Sequence, residues 1–138
     1  MKNVKIGVAV ISLLLGCFFY LGFRQETLLM FHWAARLDII EFVKGVRIAA
    51  NEAKFLRDTY VIYSVPYGLW VISFCSFVGA VWHEDTSAAS VVWRLAAPII
   101  AIGSEGLQFL GLLPGVFDKG DMMTLLFASI VGVTISFL

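Results

Sequence analysis

The chain has 138 residues, 60% of them hydrophobic and only 14% charged, with ten basic against ten acidic side chains; mean hydropathy is +0.90. A soluble domain carries about 45–50% apolar and about 25% charged residues. A water-soluble fold of this length could not hide so much apolar surface, so lipid is the natural solvent. The length fits one domain over residues 1–138, and the balanced charge offers no footprint for nucleic acid. Cys17 and Cys75 stand in separate apolar segments with no CxxC or Cys/His spacing, which gives no readable zinc site; they read as small buried hydrophobes.

Ile6 to Phe23 is a run of 18 uncharged residues between Lys5 and Arg24. At 1.5 Å per residue it is just long enough to cross a hydrocarbon layer as a helix. Lys2 and Lys5 before Leu14-Leu15-Gly16-Cys17 look like a bacterial lipoprotein signal with Cys17 as the lipid acceptor. The apolar run continues to Phe23, however, whereas a cleaved signal has an apolar stretch of only about 7–15 residues. An uncleaved spanning helix is therefore expected.

Residues 24–59 are dense in charge. Apolar residues recur there at Ile39, Phe42, Val43, Val46, Ala49 or Ala50, Ala53 and Leu56. Steps of three and four predict an amphipathic interfacial helix between the first and second spans. An earlier piece, Leu29 to Leu37 with Trp33, suits the headgroup layer. The acids interspersed with the basic residues favour a solvated connector with one buried stripe over a basic lipid-binding surface.

The second span is expected at 60–82, with Tyr60, Tyr63, Tyr67 and Trp70 crowding one end and Trp82 marking the other, as in a membrane–water belt. Pro66 falls in its first turns, where a missing N–H is tolerated or kinks the chain. Ser73, Ser76, Gly79 and Ala80 give it a narrow face for close packing. After a polar turn, His83-Glu84-Asp85-Thr86-Ser87, the third span is expected at 91–112, bent by Pro98. The fourth, 122–138, carries a small-residue stripe, Ala128, Gly132 and Ser136. The expected fold is thus all-α integral membrane, with four transmembrane helices and both termini on one side. Counting basic residues, seven fall to the side of the connector and the 110–121 loop (Arg24, Arg36, Lys44, Arg47, Lys54, Arg57, Lys119) and three to the other (Lys2, Lys5, Arg94). The positive-inside rule then favours a cytoplasmic connector and loop.

Chemistry concentrates in one stretch. Glu105 and Gln108 are three apart and share a helix face, with Ser104 beside them. An ionisable residue inside a span costs roughly 2.5–3.5 kcal/mol on insertion scales and is a functional-site hypothesis by default. Pro114-Gly115 is a turn signal, and Asp118 and Asp121 stand where the next helix begins. Asp121 reads first as its N-cap, with Asp118 capping the same turn or pairing with Lys119. Glu105 needs a partner from another element, with Arg24, Arg57 and His32 as candidates, or else stays protonated. Three acids and an amide could ligate a divalent cation, but the spacing matches no metal motif, and neither metal nor cofactor is expected. His32 and His83 are isolated polar residues.

Glu105 and Gln108, then Pro114-Gly115-x-Phe117-Asp118-x-x-Asp121, then Gly132 in the last helix, together resemble the VanZ-like family of small membrane proteins over about 35 residues. The family's Asp-Lys-x-x-His stretch entering the second span has no counterpart in Tyr60 to Leu69, and Thr124 is the nearest polar residue to an asparagine that the family carries after its second aspartate. The resemblance implies a bacterial cell-envelope setting in the plasma (inner) membrane, with a lipid-linked or other envelope ligand. It makes Glu105 a candidate general base or headgroup ligand, Gln108 its orienter, and Asp118 and Asp121 polar partners. The alternative is a non-catalytic subunit that docks a protein partner or a second copy through its small-residue faces and amphipathic connector.

Overall fold

The computed structural model describes residues 1–52 and 58–138. Among the described residues, seven helices account for the regular structure: α1 (Lys2–Phe23), α2 (Leu29–Arg36), α3 (Ile40–Glu52), α4 (Thr59–Tyr63), α5 (Val65–Val81), α6 (Ala88–Phe109) and α7 (Lys119–Phe137). Among the same residues, four stretches are long and apolar enough to cross a membrane: α1, α4 with α5, α6 and α7. This matches the four expected spans. The N-terminus, the 83–87 turn and the C-terminus meet at one end of the bundle.

Helix α5 is the hub, packed mainly on α1 and α7, while α6 leans on α7 and less on α5. Its packing is made by small residues. Ser73, Ser76, Gly79 and Ala80 are all buried, as are Ala128, Gly132 and Ser136 of α7. Part of the α5 face meets the α7 stripe: a Cβ added at Gly79 would lie 2.5 Å from Ser136 Cα, and one at Gly132 would lie 3.0 Å from Cys75 Cβ; Ser73 turns to α1, donating to the Ala9 carbonyl at 2.8 Å. The outside is the reverse, with Val10, Leu14, Phe77, Ile100, Phe127 and Ile130 exposed. Small and hydroxylic side chains inside with large apolar ones outside is the arrangement of helices packed in lipid, where close approach replaces hydrophobic burial as the driving force.

Helix ends follow local chemistry. The Asp58 carboxylate caps α4 by accepting from the N–H groups of Tyr60 and Val61. Ser64 then separates α4 from α5, and Pro66 sits in the first turn of α5, where its missing N–H costs nothing. Inside α6, Pro98 cannot donate to the Arg94 carbonyl four residues back. The Cys75 thiol donates to that carbonyl instead, at 3.8 Å. Cys75 is thus buried, as expected, but it also serves the backbone of a neighbouring helix.

Three expectations change. Lys5 does not bracket the first span; it lies within α1 and is 2% exposed. Arg94, counted among the basic residues of one membrane side, is likewise buried, at 5% exposed. The third change is in the connector: α2 matches the expected earlier piece and α3 the amphipathic helix, with Asp38 between them in the left-handed region (φ 57°), but the stripe does not hold throughout. Its predicted stripe is only partly inward: Val43 and Ala50 are buried, whereas Ile39 and Phe42 are exposed. Ala53 and Leu56 lie outside the described residues. Phe31, Ala34 and Val43 form a small core with Leu21 of α1. Arg47 ties the hairpin down by donating to the Leu21 and Arg24 carbonyls at the end of α1 and pairing with Glu26 at 3.1 Å.

Candidate functional site

Helix α6 presents Trp93, Ala96, Ala97, Ile100, Ala101, Ser104, Glu105 and Gln108 to a groove of about 710 Å³ shared with α5 and α7. The steps of three and four place these residues on one stripe of the helix. Tyr67, Trp70, Val71 and Phe74 of α5 form the opposite wall, and Gly115, Val116, Asp121 and Leu125 complete it. The groove is apolar for most of its length and polar at the end where Glu105, Gln108 and Asp121 meet. Exposed Phe74, Trp93 and Ile100 line it, so it opens sideways.

The loop after α6 is folded back by backbone conformation. Gly111 (φ 70°) and Gly115 (φ 138°) take positions that favour glycine. At Gly115 the backbone lies against the Gln108 side chain: an added Cβ would be 2.8 Å from its Cδ. Phe109 and Phe117 pack edge to face at 5.1 Å across the same turn. The chain then enters α7 through Asp118, which is the N-cap: its Oδ1 accepts from Gly120 N at 2.6 Å and Asp121 N at 3.2 Å. Asp118 thus takes the capping role that was one of its two expected alternatives, while Asp121, first expected as the N-cap, is not the cap. Asp121 sits in the first turn of α7 and lines the groove, where the helix dipole favours an acid. Asp118 holds the turn and does not line the groove.

Glu105 is 8% exposed, and its Oε2 is buried without a hydrogen-bond partner among the described residues. Its carboxyl faces the Asp118 backbone N–H and feels the Asp118 and Asp121 carboxylates. Neither Arg24 nor His32 reaches it. Arg24 stacks over Tyr63 at 4.4 Å and donates to the Tyr67 hydroxyl at 3.1 Å. His32 lies against the α2–α3 hairpin beside Val43 and Arg47. Arg57 is outside the described residues. Leaving a buried carboxyl oxygen unpaired is costly, and such groups call for an explanation in function or a missing partner. Thr124 donates to the Gly120 carbonyl and shares a hydrogen bond with the Tyr60 hydroxyl, bracing the start of α7 from the other side. Among the described residues, no group of three or more His, Cys, Asp or Glu is placed to hold a metal ion.

The opposite end of the bundle holds a second polar cluster that the sequence did not reveal. Lys5 Nζ donates to the Ser136 carbonyl at 3.0 Å and the Gly79 carbonyl at 3.1 Å, with His83 Nδ1 at 3.4 Å. Arg94 also donates to the Ser136 carbonyl, at 3.0 Å, and to the Trp82 and Asp85 carbonyls, while its guanidinium stacks on Phe137. The Gly79, Trp82 and Ser136 carbonyls belong to the ends of α5 and α7, the negative poles of both helices, and the Asp85 carbonyl to the turn after α5. Two cations thus serve as C-terminal caps for two helices at once.

Sequence reasoning named Glu105, Gln108, Asp118 and Asp121; Glu105, Gln108 and Asp121 line one end of the groove, and Asp118 caps the turn beside it without lining it. It missed the aromatic wall, Tyr67, Trp70, Phe74 and Trp93. The spacing from Trp93 to Gln108 was the available signal, since it marks a single helix stripe ending in polar residues. Fold and site together define a helical bundle with four helices long and apolar enough to cross a membrane and a groove with an acidic head. No family model, curated protein or solved structure matches the chain.

Proposed function

We propose that the chain is a polytopic protein of the bacterial plasma (inner) membrane, of VanZ-like type, that binds or processes a cell-envelope component at the acidic head of its groove. Glu105 carries the reading, because a buried carboxyl oxygen without a partner, at the end of an apolar groove, is placed to receive a ligand group. Gln108 orients that group and Asp121 adds charge; Asp118 holds the turn that brings them together. A desolvated carboxyl of this kind can also exchange a proton with a bound ligand. The burial of Lys5 and Arg94 leaves Lys2 as the exposed basic residue of their end, which favours a cytoplasmic connector and 110–121 loop.

The test is complementation by Glu105→Gln in a strain lacking the protein, challenged with an envelope-directed antibiotic, with membrane levels measured alongside. Normal levels with lost resistance support the site. Lost protein points to a fold lock instead, and full complementation removes Glu105 from any functional role.

The second reading, a subunit that docks a partner or a second copy, is narrowed by the packing. The small-residue faces are consumed within the chain, which leaves the connector, where Leu29, Trp33, Leu37, Phe42 and Ile48 are exposed. Charged substitutions at Leu37 and Phe42 that release a co-purifying protein would favour that reading.

A further inference from the structure

The groove has a shape and a charge that together restrict what it accepts. About 710 Å³ falls within the roughly 300–1,000 Å³ of ordinary ligand sites. Its apolar part follows one stripe of α6 from Trp93 to Ala101, where Ala96, Ala97 and Ala101 leave room beside Phe74 and Trp70. At the polar end Glu105 and Asp121 are both acids, Gln108 supplies an amide oxygen, and no Lys or Arg is among the lining residues described. Arg24 meets the groove wall at Tyr67, donating to its hydroxyl and lying 5.8 Å from its ring centre, and is not itself a lining residue. The buried Glu105 Oε2 is an acceptor with nothing to accept from among the described residues. An anionic head there would meet like charge in a partly desolvated setting, which is strongly unfavourable. An ammonium brings three donors and the opposite charge.

We infer that the groove holds a single-tailed amphiphile with an amine head, the ammonium against Glu105 and Asp121 and the tail along the Trp93–Ala101 stripe of α6. The inference rests on the reading of Glu105 as a ligand site and names the ligand's chemical class. The sideways opening past Phe74 and Ile100 lets such a molecule enter from surrounding lipid. Selectivity comes from the head and residence from the tail.

The experiment uses the whole chain in a neutral maltoside detergent, with hexadecylamine and hexadecyl phosphate as probes and native mass spectrometry to count retained molecules. One hexadecylamine is retained per chain, saturably, and hexadecyl phosphate at least about tenfold more weakly. Glu105→Gln weakens hexadecylamine by a similar factor; Asp121→Asn serves as the second variant should the first fail to fold. Ala96→Trp fills the groove and removes retention. Equal retention of the two probes, or unchanged amine retention in folded Glu105→Gln and Asp121→Asn, overturns the amine head; unchanged retention in Ala96→Trp overturns the tail's path. If Glu105→Gln abolishes complementation but leaves amine retention intact, the amine inference fails while the site stands. If complementation survives, the site reading itself fails.

Discussion

The two ends of the bundle each bury charge, and they resolve it in opposite ways. At one end Lys5 and Arg94 are surrounded by carbonyls of Gly79, Trp82, Asp85 and Ser136. The charge there completes hydrogen bonding that two helix ends need. At the other end Glu105 has the Asp118 N–H before it, two more acids nearby and one oxygen without a partner among the described residues. A buried charge with several partners makes a lock, because removing it breaks several hydrogen bonds at once. A buried carboxyl oxygen without one, facing a groove, makes a site, because its partner is to come from outside. Arg94 also keeps one buried nitrogen, Nε, without a partner among the described residues, but its other two guanidinium nitrogens donate to three carbonyls, and that difference in pairing separates it and Lys5 from Glu105.

That contrast can be broken by mutation, and stability ranks the outcomes. Arg94→Ala removes charge-assisted donors from the Ser136, Trp82 and Asp85 carbonyls, each of which keeps a second donor, from Lys5, the Asp85 N–H and the Ser90 hydroxyl respectively. At about 1.5–3 kcal/mol per hydrogen bond to a charged group, it gives the largest drop in unfolding temperature in detergent, or removes folded protein altogether. Gly79→Val drives its side chain into the Ser136 backbone, and overpacking of this kind costs about 1–3 kcal/mol; the same thermal assay shows a smaller loss. Asp118→Ala removes the cap of α7 and costs about 1 kcal/mol, with Asp118→Asn recovering most of it. Glu105→Gln changes the unfolding temperature least of these four, since no ion pair is lost, yet it abolishes complementation. If Glu105→Gln unfolds the protein as Arg94→Ala does, the distinction between lock and site collapses.

The smallest effect is a pH dependence in the 83–87 turn. Hydrogen bonds from Ser87, including its backbone N–H at 2.6 Å, hold the Asp85 carboxyl below its ordinary range. A depressed carboxylate contributes stability above its unfolded-state pKa of about 3.9 and loses it as pH falls through the lower folded value. Acid titration below about pH 4 therefore shows a shallow loss of thermal stability that Asp85→Asn removes.

The legible and illegible parts of the chain differ for identifiable reasons. The small faces, Ser73 to Ala80 and Ala128 to Ser136, are readable because in lipid the packed side must be narrow. Glu105, Gln108, Asp118 and Asp121 are readable because polar residues in or beside a span are expensive and few. Lys5 misleads because a lysine at the edge of an apolar run normally reaches for the interface. Here α1 starts three residues before it, and the ends of α5 and α7 offer carbonyls instead. Asp121 misleads as the first choice of N-cap because either aspartate can cap a helix, and the return of the loop over Gln108 selects Asp118.

Composition and hydropathy alone determine that four helices are apolar enough to cross a membrane, because each helix satisfies its own backbone and its length is a local property. The acidic stretch at 104–121 is local in the same sense. Tertiary structure decided which buried charges have partners. The Ser136 carbonyl lies 131 residues from Lys5 and 42 from Arg94, and no pattern of spacing reports such a meeting. It decided also that the stripe from Trp93 to Gln108 faces a groove with Tyr67 and Phe74 across it, because a cavity belongs to the packing between helices.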